Sequence, residues 1–392
     1  MEGSIHVVTG ASGFIGRHLV RSLLEQGENV FAVLRTSKQM SAEERGRAMF
    51  GSEYSNLTIV EGDVLKPFFG ITEVQRGMLK DVDVTLWHLA ADLSFSPSRQ
   101  SVAEQTNRDG TKNAVEFANM YAERLIHMST AYVCGDAAQK VFERRHVPRP
   151  IFRNHYERSK YEGEEMVHEK SAVPTIVARP SIVIGDAYEG KAEGCTFGYY
   201  RFAFMLHILK SWVQAKLEQG KFAGRLLRLM GTKVQDGRVR LPWLLLPYPA
   251  NGEVDLVHID NVVEPLIKVA KKWNQPGVQV LHITQRQSAR SLFVMEAALD
   301  DLGIEGAKYL KLSPGNFHGL LSVLYVLAFP IRKYAKSVFW YIPYVVRPYV
   351  FDRTHAVENG IDPPPLTRDA LRKINAYAQS HIFPNIDIDR LM

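Results

Sequence analysis

Short apolar runs alternate with amphipathic stretches through the first half of the chain. Residues 4–9 form one apolar run, and a glycine-rich turn and an amphipathic stretch at residues 17–26 separate it from the next apolar run at Asn29–Leu34. This order predicts strand, turn, helix and strand, which is a βαβ unit of a parallel sheet. The same alternation predicts further strands at residues 57–61, 84–89, 124–129 and 175–178, and helices at residues 107–120 and 160–169. It indicates a doubly wound, Rossmann-type α/β fold over residues 1 to about 185.

The alternation ends after residue 185. Residues 197–213 carry apolar and aromatic side chains at helical spacing, and residues 241–249 form an apolar stretch bounded by prolines. Residues 254–259 and Val278–Ile283 are patterned like strands that return to the sheet. Because ligand pockets of such sheets lie beyond the carboxyl ends of the strands, the residues in between predict a cover over a substrate.

Two apolar stretches near the end of the chain, residues 319–331 and 338–346, raise the question of a membrane. Each is shorter than the ~18 apolar residues that a spanning helix needs. Basic residues and two aromatic residues, Trp340 and Tyr341, lie in or beside them. This composition favours the wall of a hydrophobic substrate tunnel, and the alternative is a helix lying in a membrane interface, which would make peripheral membrane contact.

The composition narrows the class of protein. The 392 residues are 46% apolar and 23% charged, as in a globular protein with a sizeable core. The two cysteines, Cys134 and Cys195, lack metal-ligand spacing, so we expect a reducing compartment and no metal site. The first residues do not have the pattern of a secretory leader, and we therefore expect a cytoplasmic protein. The net charge is +6, and the basic residues are spread widely along the chain. They are denser at residues 221–240, where a solvated helix face is the favoured interpretation. We recognise no nucleic-acid-binding module in the sequence and do not expect nucleic acid as a partner.

A glycine pattern directly after the first strand indicates a phosphate-binding turn. Glycines at such positions allow a tight turn, a close approach to a pyrophosphate and close packing of the new helix against the sheet. Backbone amides at the helix start then face the phosphates. The residues that we expect to bind a dinucleotide here are Gly10, Ser12, Gly13, Phe14, Ile15 and Gly16.

The end of the second strand indicates which dinucleotide fits. The strand is followed by Arg35 rather than by an acidic residue that would bind the adenosine ribose hydroxyls. A guanidinium at this position pairs with a 2′-phosphate, so we predict NADP(H); a plain surface arginine is the alternative. Asp63 and Val64 follow the third strand, where an aspartate can bond the adenine amine or cap a helix. The fourth strand ends in the small-residue run Leu89, Ala90 and Ala91, which allows close approach of the dinucleotide.

A tyrosine and a lysine four residues apart indicate acid–base chemistry. A carbonyl accepts hydride only when its developing oxyanion is protonated or stabilised. A free tyrosine has a pKa of about 10, and the ammonium of Lys160 on the same helix face is expected to lower that of Tyr156. Ser129 and Thr130 close a preceding strand, where a hydroxyl can hold the substrate oxygen.

These motifs occur in an order that resembles the extended short-chain dehydrogenases/reductases. The order is Thr-Gly-x-x-Gly-x-x-Gly, Gly-Asp-Val, His-Leu-Ala-Ala, Asn-x-x-Gly-Thr, Ser-Thr-Ala-Tyr-Val-x-Gly, Tyr-x-x-x-Lys and Arg-Pro, over residues 4 to about 185. The resemblance implies that Thr130, rather than Ser129, is the catalytic hydroxyl, with Tyr156 as the acid–base group and Lys160 as its partner. It further implies that the residues near the cofactor include Asn107, Pro180, Ser181 and Ile182.

Three segments narrow the resemblance to fatty acyl-CoA reductases and thioester-reductase domains. They are residues 129–133, 152–160 and 179–185, and residues 349–352 and 360–366 are similar to the carboxyl part of bacterial members. In that group NADPH reduces an acyl thioester to an aldehyde and in some members onward to the alcohol. The resemblance implies a hydrophobic small-molecule or acyl-carrier substrate, and it leaves a homodimer open.

We therefore expect an NADPH-dependent reductase of a hydrophobic acyl thioester. One alternative is a related dehydrogenase or epimerase acting on a hydroxysteroid, another hydrophobic alcohol or ketone, or a nucleotide sugar. A second is a non-catalytic NADP(H)-binding redox sensor. The expected parts are a Rossmann domain with the NADP(H) site and the catalytic motif at residues 1–190, a substrate-covering insertion at 191–253, a return to the sheet at 254–290 and a mostly helical substrate-binding lid at 291–392.

Overall fold

The strands and helices follow the alternation of the sequence closely. The computed structural model describes residues 4–137, 140–313, 315–317, 320, 339–346 and 348–385. Numbered along the chain, the strands are β1 Ile5–Thr9, β2 Asn29–Leu34, β3 Leu57–Glu61, β4 Val84–His88, β5 Arg124–Met128, β6 Thr175–Pro180, β7 Ile182–Ile184, β8 Lys233–Gln235, β9 Arg238–Arg240, β10 Leu245–Pro249, β11 Glu253–Val254, β12 Leu256–His258, β13 Val278–Ile283, β14 Ala289–Arg290, β15 Ile304–Glu305 and β16 Lys308–Leu312. The helices are α1 Phe14–Glu25, α2 Ala42–Phe50, α3 Glu73–Gly77, α4 Gln100–Glu104, α5 Gly110–Tyr121, α6 His155–Lys170, α7 Tyr199–Gln219, α8 Phe222–Leu229, α9 Asp260–Lys272, α10 Ser291–Asp301, α11 Thr354–Glu358 and α12 Arg368–Tyr377.

The chain divides into two units. The first comprises residues 1–181, 257–284 and 349–363, and the second comprises residues 182–256, 285–348 and 364–392. The apolar stretch predicted at residues 319–331 lies outside the described residues except for residue 320, and the stretch at 338–346 is described from residue 339 onward. Among the described residues, no helix is both long enough and apolar enough to cross a membrane.

The first unit is built on one seven-stranded parallel sheet. Its strand order is β13-β6-β5-β4-β1-β2-β3. Every residue of β1, β4 and β6 is buried, as expected for parallel strands whose two faces are both covered. From β1 the chain moves outward to β3 and then returns to β4 on the other side of β1, which creates a topological switch point where sheets of this kind bind ligands. The predicted doubly wound α/β fold is therefore confirmed.

One predicted strand does not join this sheet. Residues 254–259 are not a single returning strand, because they divide into β11 and β12, neither of which belongs to the seven-stranded sheet. The reason lies at Asp255, whose backbone oxygen accepts a hydrogen bond from the backbone N–H of Ile182 at 3.3 Å. Its carboxylate accepts from the backbone N–H of Gln285 at 3.1 Å and from the Ser288 hydroxyl at 3.3 Å. These bonds hold the residue within the second unit. The strand predicted at Val278–Ile283 does return, as the edge strand β13.

Residues 349–363 complete the first unit. Their backbone pairs with that of Val141: the Val141 N–H donates to the Val350 oxygen at 2.8 Å, and the Asp352 N–H donates to the Val141 oxygen at 2.7 Å. The buried carboxylate of Glu143 then accepts hydrogen bonds from the backbone N–H groups of His282 at 2.7 Å and His355 at 2.5 Å. One side chain thus links β13 to the start of α11.

The second unit holds its helices together through a buried carboxylate. Asp301, at the end of α10, accepts two hydrogen bonds from the Arg368 guanidinium, at 2.6 and 2.8 Å, and one from the Asn375 amide at 2.8 Å. Asn375 also accepts a hydrogen bond from the Tyr199 hydroxyl at 2.6 Å. The network connects α7, α10 and α12.

Candidate active site

The glycine turn after β1 is shaped by contacts that exclude side chains. Gly10 has φ +73°, and a Cβ there would lie 2.6 Å from the Ala90 nitrogen. A Cβ on Gly16 would lie 2.2 Å from the Gly10 oxygen, and one on Gly13 would lie 3.2 Å from the same atom. The turn therefore requires glycine at its first and third positions, and the residues fit the close backbone approach that a pyrophosphate needs.

The start of α1 offers backbone donors beside this turn. Gly13 is the N-cap residue, and no side chain caps the helix. Ser12 accepts a hydrogen bond from the Arg17 side chain through its backbone oxygen at 3.0 Å, while Phe14 is buried and Ile15 half-buried. The amides of the first helical turn are suited to an anion, because they have no partner within the helix.

A cavity opens beside the ends of β2 and β3. It has a volume of about 430 Å³ and is lined by Arg35, Asp63, Lys66 and Gln75, among others. Arg35 is exposed, and the Asp63 carboxylate accepts a hydrogen bond from the Leu65 backbone at 3.0 Å, which closes a local turn. Lys66 was not singled out from the sequence, because only the fold brings it to the same cavity as Arg35.

The end of β4 and the start of α5 are joined by one asparagine. The side-chain oxygen of Asn107 accepts from the Asp92 backbone N–H at 2.8 Å, and its amide donates to the Asp92 oxygen at 3.0 Å and to the Ser159 hydroxyl at 2.9 Å. Asn107 is fully buried in a π-helical turn, Gln105–Asp109, and such turns often occur at functional sites. Asn107 thus connects the loop after β4 to α6 next to Lys160.

The remaining small residues after β4 lie at the switch point. Leu89 donates from its backbone to the Thr9 oxygen at 3.2 Å, and Ala90 is the residue against which Gly10 packs. Ala91 follows them and is half-buried. Leu89, Ala90 and Ala91 therefore flank the glycine turn at the carboxyl end of β4. Val64, which follows β3, is buried against α5, where a Cβ on Gly110 would lie 3.0 Å from its side chain.

The two hydroxyls after β5 have different environments. The Ser129 hydroxyl donates to the Glu164 carboxylate at 2.7 Å, so it is committed to a buried partner. Thr130 caps the short turn Ala131–Cys134 and accepts from the Tyr132 backbone at 3.4 Å. Cys134 in this turn is no candidate nucleophile, since burial raises the pKa of its thiol to about 12.

Helix α6 carries the tyrosine and the lysine one turn apart. Asn154 caps the helix by accepting from the Glu157 backbone at 3.0 Å, which starts it immediately before Tyr156. The Tyr156 ring lies 5.4 Å from that of Phe95. The Lys160 ammonium donates to the Met128 oxygen at 2.7 Å, so it contacts β5 two residues before Thr130. Burial lowers the pKa of Lys160 from 10.5 to about 8, and the Glu164 carboxylate opposes that shift.

A fully buried ion pair supports this corner of the site. Arg179, on β6, donates through Nε to Glu164 at 3.1 Å and forms a second, shorter contact with the other carboxylate oxygen. Burial alone would raise the pKa of Glu164, but Arg179, His168 and Ser129 together hold it well below its ordinary range. Since Glu164 also accepts the Ser129 hydroxyl, the pair fixes α6 against the end of β5.

Two stacked histidines lie in the core on the neighbouring strands. The rings of His88 and His127 are 5.5 Å apart, and His88 shares hydrogen bonds with the hydroxyls of Thr9 at 2.9 Å and Thr111 at 3.2 Å. Burial, and then the charge of Lys160, lowers the pKa of His88 to about 3, so this imidazole is neutral at physiological pH.

The residues expected near a nicotinamide fall at the boundary between the units. Pro180 ends β6, and the buried Ser181 donates from its backbone to the Ile283 oxygen at 3.1 Å. Ile182 opens β7 in the second unit.

Comparison with known proteins identifies relatives of this chain. Residues 8–221 match the family described as male sterility protein. A nonribosomal peptide synthetase, asaC of Aspergillus flavus, is 28% identical over 216 residues, which are 49% of this chain and 21% of that protein. A putative fatty acyl-CoA reductase of Drosophila melanogaster is 32% identical over 146 residues, which are 32% of this chain and 28% of that protein. The matches thus span less than a third of these relatives.

A solved structure extends the similarity of fold to nearly the whole chain. The terminal R domain from the myxalamid PKS-NRPS biosynthetic pathway has a TM-score of 0.71 at 16% identity, covering 98% of this chain and 93% of that one. At that identity the similarity is one of fold alone.

Proposed function

The chain belongs to the male sterility protein family, a branch of the NAD(P)-binding extended short-chain dehydrogenases/reductases, and we propose that it is an NADPH-dependent reductase of hydrophobic acyl thioesters. The observation that carries the proposal is the contact of the Lys160 ammonium with the end of β5, where Thr130 follows, on the helix that also bears Tyr156. A lysine, a tyrosine and a hydroxyl in this relation suit proton transfer at a carbonyl oxygen. A protein that only sensed NADP(H) would have no need of all three.

The proposed reaction balances as a two-electron reduction of a thioester. When bound, NADPH supplies the hydride that the carbonyl carbon receives. The Tyr156 and Thr130 hydroxyls hydrogen-bond the carbonyl oxygen as its charge develops, while the Lys160 ammonium stabilises negative charge on the Tyr156 oxygen electrostatically. The carbon–sulfur bond then breaks, the sulfur takes up a proton, and the products are an aldehyde and a free thiol.

The position of Arg35 supports NADPH as the reductant. The cavity beside the ends of β2 and β3 is lined by Arg35 and Lys66, and also by the carboxylates of Glu61 and Asp63. Two cations suit a 2′-phosphate, because charge-assisted hydrogen bonds to phosphate are among the stronger polar contacts in proteins. We propose that Arg35 is the main determinant, since it directly follows β2.

The glycine turn and its neighbours are proposed to hold the rest of the dinucleotide. The pyrophosphate would meet the backbone amides of Ser12 and of the first turn of α1, since the Gly13 amide donates to the Gly10 oxygen at 2.9 Å. Asp63 and Val64 are proposed to lie against the adenine, and residues 89–91 against the dinucleotide at the switch point. Asn107 is proposed to position α6 through Ser159.

The thioester part of the proposal is supported by what the relatives are called. One is a putative fatty acyl-CoA reductase, another is a nonribosomal peptide synthetase, and the fold neighbour is the terminal R domain from a PKS-NRPS biosynthetic pathway. A fatty acyl-CoA or an acyl chain on a carrier is therefore the substrate class to test first.

One assay separates thioester reduction from the other activities of the superfamily. Purified protein is given NADPH with fatty acyl-CoA, acyl carrier protein, hydroxysteroid, ketosteroid and nucleotide-sugar substrates, and NADPH oxidation and free thiol are recorded together. Thiol release from an acyl thioester supports the proposal when it accompanies the oxidation of one NADPH per thiol, for an aldehyde product, or of two, for an alcohol. Turnover without thiol release would contradict it and favour a dehydrogenase or epimerase, and NADPH binding without turnover on any substrate would favour a sensor.

A further inference from the structure

Helix α8 in the second unit presents apolar side chains to solvent. Phe222 is 81% exposed, Leu226 46% and Leu229 85%. Their spacing of four and three residues places them on one face of the helix, which we call the α8 stripe. Large apolar side chains exposed side by side in this way commonly mark a surface that binds something.

The inner face of α8 fixes the orientation of the stripe. Gly224 and Leu227, on the opposite face, are buried. A Cβ on Gly224 would lie 2.2 Å from the Lys216 oxygen at the end of α7, so only glycine permits this close packing. Arg228 donates to the Leu217 oxygen at 2.8 Å and adds a second connection to α7. The exposure of the stripe therefore follows from how the helix packs.

Basic residues lie close to the stripe along the chain. Lys221 and Arg225 are exposed on α8 or directly before it, and Lys233 and Arg240 are exposed on the β8–β9 hairpin that follows. Residues 221–240 contain six Lys and Arg residues and one acidic residue, Asp236. An apolar stripe flanked by cations is the pattern of helices that lie in the headgroup region of an anionic bilayer.

We propose that the α8 stripe and the basic residues around it form a docking site for an anionic lipid surface. An eight-residue helix is only about 12 Å long, whereas a stable protein interface buries on the order of 800 Å² on each partner. A bilayer places no such demand, because a few inserted apolar side chains and nearby cations suffice. The inference is independent of the reaction proposed above.

Sedimentation with lipid vesicles tests the proposal on the full chain. Sucrose-loaded vesicles of phosphatidylcholine, with or without phosphatidylglycerol, are pelleted with the protein at low and high salt. We expect binding to the phosphatidylglycerol vesicles that weakens with salt, and a loss of about tenfold or more in partitioning for Phe222→Ser/Leu229→Ser. Arg225→Gln/Lys233→Gln should lose the preference for phosphatidylglycerol.

A matched control and the contrary outcomes make the test decisive. Val74 is 80% exposed on α3 in the first unit, and Val74→Ser should leave binding unchanged. Thermal melts confirm that each variant is folded. The proposal is overturned if the wild-type protein does not bind phosphatidylglycerol vesicles or if the stripe variant binds them as well as the wild type. The stripe variant could instead keep vesicle binding and lose either lipid-independent self-association or binding of a purified acidic carrier domain. That result would assign the surface to a protein partner.

Discussion

The titration of Lys160 gives the account a pH dependence that can be worked out from the structure. Burial lowers the pKa of this ammonium from 10.5 to about 8, a shift that corresponds to about 3 kcal/mol. The proposed role requires the charged form, so activity is full below the lowered pKa and is lost as the pH rises through it. The protonated fraction falls from about 0.9 at pH 7 to about 0.1 at pH 9, so kcat/KM should fall by about tenfold over this range.

The variant Glu164→Gln tests whether Lys160 is the group whose titration causes this loss of activity. The Glu164 carboxylate is the charge that raises the pKa of Lys160 against burial, so removing it should lower that pKa and move the basic limb of the profile to lower pH. Two charges about 6 Å apart at an effective dielectric of about 20 interact by about 3 kcal/mol, and Arg179 on the same carboxylate cancels part of this. We expect a displacement of about one pH unit.

The measurement is kcat/KM for the thioester substrate from pH 6 to 10. Glu162→Gln, on the same helix, is the control and should leave the limb in place, because Glu162 pairs with Arg149. Glu164→Gln leaves Arg179 as an uncompensated buried charge at a cost of about 3–5 kcal/mol, so Glu164→Gln/Arg179→Met, which removes both charges, is measured as well. A profile that is flat to pH 10, or a limb that stays in place in both Glu164 variants, would refute the assignment to Lys160.

Three further changes probe the cofactor site and the fold. Arg35→Ala should reduce the ratio of NADPH to NADH efficiency by about tenfold to a hundredfold, through loss of charge-assisted hydrogen bonds, while Arg47→Ala on the exposed face of α2 should not; an unchanged ratio in the first variant would disprove the NADPH determinant. Gly16→Ala places a Cβ 2.2 Å from a backbone oxygen of the glycine turn and should weaken NADPH binding by about tenfold or more in a fluorescence titration, whereas Gly77→Ala meets nothing within 4 Å and should bind normally; equal affinities would show that the turn does not contact the cofactor. Glu143→Gln should lower the free energy of unfolding by about 1.5–3 kcal/mol in denaturant titrations, because the carboxylate accepts backbone hydrogen bonds from two elements, and an unchanged midpoint would contradict this.

The sheet of the first unit could be predicted because its signals are local. Val278–Ile283 and Asn29–Leu34 are apolar runs of strand length, and both became strands with the predicted bounds. The fold class followed from their alternation with helices. The run at residues 254–259 looks equally apolar, yet the bonds made by Asp255 divide it, and those partners are distant in sequence.

The supporting residues of the candidate site could not be derived from the sequence in the same way. Glu164 follows Lys160 by one helical turn, so its proximity was open to inference from spacing. Its pairing with Arg179 was not, because the two residues meet only when β6 lies beside β5 under α6. The contact of Lys160 with the Met128 oxygen likewise depends on the packing of α6 on the sheet. Sequence motifs indicated which residues carry the proposed chemistry, and the fold shows what holds them.

The central claim is tested most directly by the tyrosine on α6. Thiol release from an acyl thioester is measured in a single turnover for the wild type, Tyr156→Phe and Tyr161→Phe, alongside NADPH binding. Tyr161 is the control, because it lies on the same helix and donates to the His146 backbone oxygen at 3.4 Å. The account predicts that Tyr156→Phe binds NADPH with near-normal affinity but releases almost no thiol, while Tyr161→Phe retains activity. Thiol release by Tyr156→Phe at the wild-type rate would contradict it.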